Sequence, residues 1–313
     1  MKLNEKYSEI VFLLALLLIV ALPPINGWQI TAPIALGLGV AFAWTCTSVF
    51  TPFVKKAQKI LLQASVVGLG FGMNVGEALK SGKEGMLFTI VSVVVVMGLG
   101  FVFGKLLKVD KKTSYLVSAG TAICGGSAIA AVAPIVEADD DQMSVSLGTI
   151  FILNAIALVI FPPLGHYFGL DQIQFGEWAA IAIHDTSSVV GAGAAYGDKA
   201  FEVATMVKCT RALWILPLAL VTTLVWRKKG TKVAVPWFIF LFALAMVAST
   251  YLGLPESAAK AFVSTAKRGI ALTLFLVGTS LTPKALKSCG VKPLIQGVAL
   301  WFAIGITSLL VIR

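Results

Sequence analysis

Residues 112–137 read KTSYLVSAGTAICGGSAIAAVAPIVE, with no charged side chain between Lys112 and Glu137. A run of this length exceeds the roughly 20 apolar residues that carry a helix across a bilayer core. It predicts a membrane helix over residues 114–136. The pattern extends outward from there. Glu9 is followed by no charge until Lys55, and the whole chain is 58% hydrophobic and 13% charged, with a mean hydropathy of +0.91. A soluble domain carries about twice that charged fraction. The fold class expected is all-α, a polytopic membrane protein.

Apolar runs separated by polar breaks predict about eleven transmembrane helices, at 9–24, 30–50, 57–74, 85–104, 114–136, 142–163, 176–196, 201–226, 235–252, 262–282 and 293–312. The first has Pro23-Pro24-Ile25-Asn26 where a cleavage site would need small residues, and is read as a retained span. Basic residues gather between spans: Lys55, Lys56 and Lys59; Lys105, Lys108, Lys111 and Lys112; Arg227, Lys228, Lys229 and Lys232; Lys284, Lys287 and Lys292. Placed on one face, these give a cytoplasmic N-terminus and an external C-terminus in a bacterial inner membrane. The acidic loop Glu137–Asp141 then falls on the opposite face. Lys80 with Lys83, and Lys260 with Lys267 and Arg268, disagree with this assignment, and the loop after the sixth span has no basic residue. Basic clusters confined to loops argue against nucleic-acid binding. Four scattered cysteines and two histidines form neither a disulfide framework nor a polyhistidine metal site.

An odd count divides the single domain, residues 1–313, into one extra N-terminal helix and two five-helix halves, 30–165 and 176–313. Five being odd, the second half enters the membrane upside down, as an inverted repeat with discontinuous helices. Comparing the fourth helix of each half pairs Gly125-Gly126-Ser127 with Gly278-Thr279-Ser280. A second echo, Ala78–Ser81 against Ala285–Ser288, gives a different pairing.

Three interruptions of the apolar runs are candidate sites. Adjacent glycines at Gly125-Gly126 weaken a helix by about 1 kcal/mol each relative to alanine, and a helix broken in lipid must face protein or a water-filled cavity. Such a break offers N–H groups to an anion, with Thr121, Cys124 and Ser127 adding side-chain groups; the alternative is close packing through small residues. His184-Asp185-Thr186-Ser187-Ser188 places five polar residues inside an apolar stretch. Asp185 or His184 would carry a coupling ion, and Asp185 also suits a helix N-cap. Lys208 and Arg211 share a helical face with Thr205 and would hold an oxyanion, unless they snorkel from a span that begins near Ala212.

The segments 120–131 and 182–193 resemble the uncharacterised bacterial membrane family UPF0324, which carries a sulfate-exporter label. The resemblance covers nearly the whole chain, including Ala78–Gly82 and Lys208–Arg211. It implies kinship with the cation–proton antiporter and bile-acid transporter group, whose fold is an inverted repeat with crossing discontinuous helices. The function expected is a secondary active transporter exporting a small anion such as sulfate or a sulfonate, coupled to H⁺ or Na⁺. A channel on the same scaffold is the alternative. Substrate contacts are expected from Thr121, Cys124, Gly125, Gly126, Ser127, Thr186, Ser187, Ser188, Lys208, Arg211, Thr279 and Ser280, with His184 and Asp185 for ion coupling. No enzyme motif is present, no cofactor is expected, and the partners are the anion, the coupling ion, lipid and a second copy in a homodimer.

Overall fold

The computed structural model describes residues 4–21, 32–47, 49–226, 237–252, 254–283 and 290–313, and is helical throughout them. In chain order the helices are α1 (Glu5–Ala21), α2 (Ala32–Thr45), α3 (Thr51–Gly70), α4 (Val75–Leu106), α5 (Lys111–Ala122), α6 (Gly126–Val136) and α7 (Asp140–Tyr167). They continue as α8 (Gln172–Ala182), α9 (Thr186–Tyr196), α10 (Asp198–Ala212), α11 (Ile215–Val225), α12 (Trp237–Tyr251), α13 (Glu256–Ser280) and α14 (Val291–Ile312). Among the described residues, five segments are long and apolar enough to cross a membrane: Thr89–Leu106, Asp140–Tyr167, Asp198–Val225, Glu256–Ser280 and Val291–Ile312. The apolar surface points outward as lipid requires, with Phe101, Val94 and Leu224 all well exposed.

Two of the predicted spans fold back on themselves. A continuous helix from 111 to 136 would hold its ends roughly 38 Å apart at 1.5 Å per residue. Instead the two ends meet. Lys112 Nζ donates to the Glu137 carbonyl at 2.6 Å, and Gln142 Nε2 donates to Asp110 Oδ2 at 2.9 Å. Helices α5 and α6 are therefore the two arms of a re-entrant hairpin, hairpin 1, that turns at Ile123-Cys124-Gly125. Gly120 on one arm faces Ile129 on the other so closely that a methyl there would lie 3.0 Å from the Ile129 Cδ1. Helices α8 and α9 form hairpin 2 in the same way. Tyr196 donates its hydroxyl to the Leu170 carbonyl, the Gln172 side-chain oxygen accepts from the Lys199 N–H at 2.9 Å, and the Phe175 and Tyr196 rings stack at 3.8 Å. An arm of about 18 Å reaches just beyond the middle of a hydrocarbon core about 30 Å thick.

This corrects three expectations. The predicted spans 114–136 and 176–196 are hairpins, so each returns to the end of the molecule from which it starts. The acidic loop Glu137–Asp141 lies at the same end of the molecule as Lys105–Lys112, not at the opposite end. In place of the crossing arrangement implied by the resemblance, the structure has two hairpins that start from opposite ends of the molecule, joined through α7. The revision also removes a discrepancy: the loop after α7 now lies at the pole away from the basic loops, where no basic residue is required. Lys260 and Lys267, at that same pole, are each paired with a carboxylate, Glu256 at 2.6 Å and Asp198 at 2.8 Å. The side chains of Lys80 and Lys83, and the whole of 227–236 and 284–289, lie outside the described residues.

Local signals start the helices that carry this topology. Asp139 with Gln142 and Asp171 with Gln174 form capping boxes ahead of α7 and α8, and Asp110 caps α5 through the Thr113 N–H. The helices form two bundles. One holds α2, α3, α12 and α13; Gly39 and Gly278 let α2 and α13 touch backbone to backbone, since a methyl at 39 would lie 2.9 Å from the Gly278 Cα. The other holds both hairpins with α4, α7, α10, α11 and α14. Gln296 of α14 donates to the Gly100 carbonyl at 3.1 Å and to Ser114 Oγ at 2.8 Å, locking α4, α5 and α14 at one pole.

Candidate functional site at the hairpin tips

The two hairpin tips meet. A methyl built on Gly125 would lie 3.3 Å from the Cα and Cβ of Asp185, so the turn of hairpin 1 rests directly on the turn of hairpin 2. Gly125 has φ 64° and ψ −125°, a region that side-chain-bearing residues rarely enter, which is why glycine occupies it. Hairpin 2 turns instead through extended backbone at Ile183 and Asp185. Asn154 of α7 fastens that turn: its Oδ1 accepts the His184 N–H at 3.0 Å and the Asp185 N–H at 3.1 Å.

Four helix ends converge here, two carbonyl ends and two N–H ends. The carbonyl ends of α5 and α8 face two cations from α10. Lys208 Nζ donates to Ile123 O at 2.9 Å, Ile183 O at 2.8 Å and Ala180 O at 3.2 Å. One ammonium thus uses its three donors to bridge both tips. Arg211, one turn on, donates to Ala122 O at 2.8 Å and Ser92 Oγ at 3.0 Å. Lys208 is 0% and Arg211 1% exposed, so neither snorkels to an edge. Cationic groups at helix C-termini complement the negative end of the dipole.

The two N–H ends differ. At α9, Asp185 is the N-cap, accepting the Ser187 N–H at 3.0 Å and the Ser187 hydroxyl through the same oxygen. At α6 the cap position is Gly125, which has no side chain to offer, and the Cys124 thiol meets the Ala128 N–H in the first turn. Gly126 there is half-buried and Ser127 exposed, whereas Thr121, Cys124, Thr186, Ser187 and Ser188 are buried. Several buried polar atoms around the tips have no partner: Thr121 Oγ1, Asn154 Nδ2, Arg211 Nε and both ring nitrogens of His184. Buried polar groups are ordinarily paired, so a cluster of unpaired ones marks a place for water or ligand.

The structure thus brings together Thr121, Cys124, Gly125, Gly126, Ser127, His184, Asp185, Thr186, Ser187, Ser188, Lys208 and Arg211. Thr279 and Ser280 are placed elsewhere in their bonding: α13 runs unbroken through them, and both hydroxyls return to the Leu276 carbonyl of their own helix. Asn154 is the residue missed by sequence reasoning. The available signal was a lone amide inside the apolar run 143–165. A cavity of about 1110 Å³ opens between the two bundles at the pole of Asp198 and Glu256 and reaches Thr205, one turn before Lys208 on α10.

Comparison with known proteins agrees with the residues that carried the resemblance. A family model described as Conserved hypothetical protein 698 matches residues 9–297. A UPF0324 membrane protein of Bacteroides thetaiotaomicron is 56% identical, covering 92% of this chain and 88% of its own. One from Photobacterium profundum is 44% identical over 90% and 86%, and one from Geobacter sulfurreducens 42% identical over 91% and 92%. No solved structure matches the chain. The protein, an all-helical membrane protein with several candidate spans, belongs to the Conserved hypothetical protein 698 family of bacterial UPF0324 membrane proteins.

Proposed function

We propose that the protein is a secondary active transporter of a small anion, with its binding site at the meeting point of the two hairpin tips. The observation that carries this is the charge balance there. The two carbonyl ends and two N–H ends of the arms offset one another, while Lys208 and Arg211 contribute two positive charges against the single carboxylate of Asp185. One positive charge remains in a poorly polarisable interior, beside the N-terminus of α6, where the cap residue Gly125 supplies no side chain. Charge of that sign at a helix N-terminus favours an anion. A tetrahedral oxyanion such as sulfate or a sulfonate suits the N–H groups of Gly126 and Ser127 together with the hydroxyls of Thr121 and Ser188.

Lys208 and Arg211 act in this reading as fixed charges that hold the tips, since Lys208 already serves three backbone carbonyls and Arg211 the Ala122 carbonyl and the Ser92 hydroxyl. Asp185, the N-cap of α9, is the group we assign to coupling of H⁺ or Na⁺, with His184, buried and with both ring nitrogens unpartnered, as the alternative for H⁺. The basic pole faces the cytoplasm under the positive-inside rule, placing the N-terminus inside and the C-terminus outside. The hairpin bundle moves against the α2–α3–α12–α13 bundle to expose the tips alternately. The cavity between the bundles is the outward path. An inverted pair is formed by hairpin 1 with α7 and hairpin 2 with α10–α11, shorter than the five-plus-five division.

The test is flux of ³⁵S-sulfate into proteoliposomes under an imposed pH or Na⁺ gradient. Gradient-driven uptake is expected from the native chain, and Asp185→Asn is expected to abolish it while the protein remains folded by thermal unfolding. Unchanged coupled uptake in that variant overturns the assignment of Asp185. Native uptake that is electrically conductive and does not saturate overturns the carrier.

A further inference from the structure

We propose that the groove between α4, α5 and α11 is a binding site for an anionic phospholipid drawn from the bilayer. The groove encloses about 820 Å³. Its walls are apolar: Ile90, Val94 and Phe101 from α4, and Leu218, Val221 and Val225 from α11. Its charge is confined to one end, where Lys105 closes α4 and Lys111 opens α5. From Ile90 to Lys105 the α4 wall is roughly 22 Å long at 1.5 Å per residue, more than one leaflet of a hydrocarbon core about 30 Å thick.

That division of apolar length and cationic end is the complement of a lipid with an anionic headgroup. Lys105 and Lys111 are both exposed. Trp226 shares the charged end, with the Lys111 ammonium 4.8 Å from its ring centroid, and tryptophan favours the headgroup depth. Basic pockets between membrane helices bind such headgroups.

The floor of the groove is the root of hairpin 1: Ser114, Tyr115 and Ser118 line it. Tyr115 is tied to α11 by a hydrogen bond with Thr222 at 2.5 Å. A lipid seated here presses on the arm whose far end is the Gly125 tip. The proposal does not depend on what the tips transport.

Native mass spectrometry of the purified protein with equimolar phosphatidylglycerol and phosphatidylethanolamine tests it. Preferential retention of phosphatidylglycerol is expected, with a matching rise in melting temperature. Lys105→Gln combined with Lys111→Gln should lower affinity for phosphatidylglycerol by roughly tenfold or more and leave phosphatidylethanolamine binding unaltered. Val94→Trp, which fills the apolar wall without touching the lysines, should reduce both. Equal retention of the two lipids by the native chain overturns the proposal, as does a preference that survives the double lysine variant. So does a lipid-free dimer that Val94→Trp dissociates, because a second copy would then occupy the groove.

Discussion

Lys208 illustrates how a single residue joins elements far apart in sequence. Its ammonium meets carbonyls of Ile123, Ala180 and Ile183, taken from both hairpins. Lys208→Met keeps the apolar stem and leaves those acceptors without their donor, and a buried unsatisfied group costs about 1–3 kcal/mol. The variant is expected to lose roughly 3 kcal/mol or more, read as a lower melting temperature in detergent. An unchanged melting temperature would show that the tips hold together without it. Gly125 makes a second case. Its backbone lies at φ 64° and a methyl would meet both Asp185 and Ile150 at 3.3 Å, so Gly125→Ala stores strain of about 1–3 kcal/mol at the tip. We expect the variant to fold with reduced stability and to lose anion flux. Full flux with native stability would place the tip contact elsewhere.

At the scale of elements, the sequence announced the helices far better than their path. Hydropathy measures how long an apolar run is, and a run of two half-length arms has the same measure as one crossing. The distinction lay in finer signals. Gly125-Gly126 marked the first turn, and His184-Asp185 the second, but each was equally consistent with a broken crossing helix. The Asp-x-x-Gln boxes at 139 and 171 located the starts of α7 and α8, and the missing basic residue after α7 was a topological clue with no sequence-level explanation. Lys208 and Arg211 were visible as charges inside an apolar stretch; their acceptors, carbonyls about 25–89 residues away, were not. Antiparallel packing of the arms is testable by itself. Enlarging Gly120 to Val should destabilise by about 1–3 kcal/mol through overpacking against Ile129. Trimming Ile129 to Ala in the same chain should recover part of that loss, a coupling of at least about 0.5 kcal/mol in a double-mutant cycle. Additive effects would mean that the arms do not face each other.

Across the whole molecule, two hairpins enter from opposite poles and meet near the centre, with one bundle carrying both and the other standing beside them. This arrangement encloses the irregular backbone of both turns in protein, as a lipid surrounding would require. It also makes the faces of the molecule directly checkable. Single cysteines at Asp110, Asp139, Asp171 and Asp198, in a background with the four native cysteines replaced, can be labelled in intact cells with a membrane-impermeant maleimide and again after permeabilisation. Positions 110 and 139 are expected to label together on one face, and 171 and 198 together on the other. Labelling of 110 and 139 from opposite faces would mean that residues 111–136 cross the membrane, and would contradict the hairpin architecture on which the site rests.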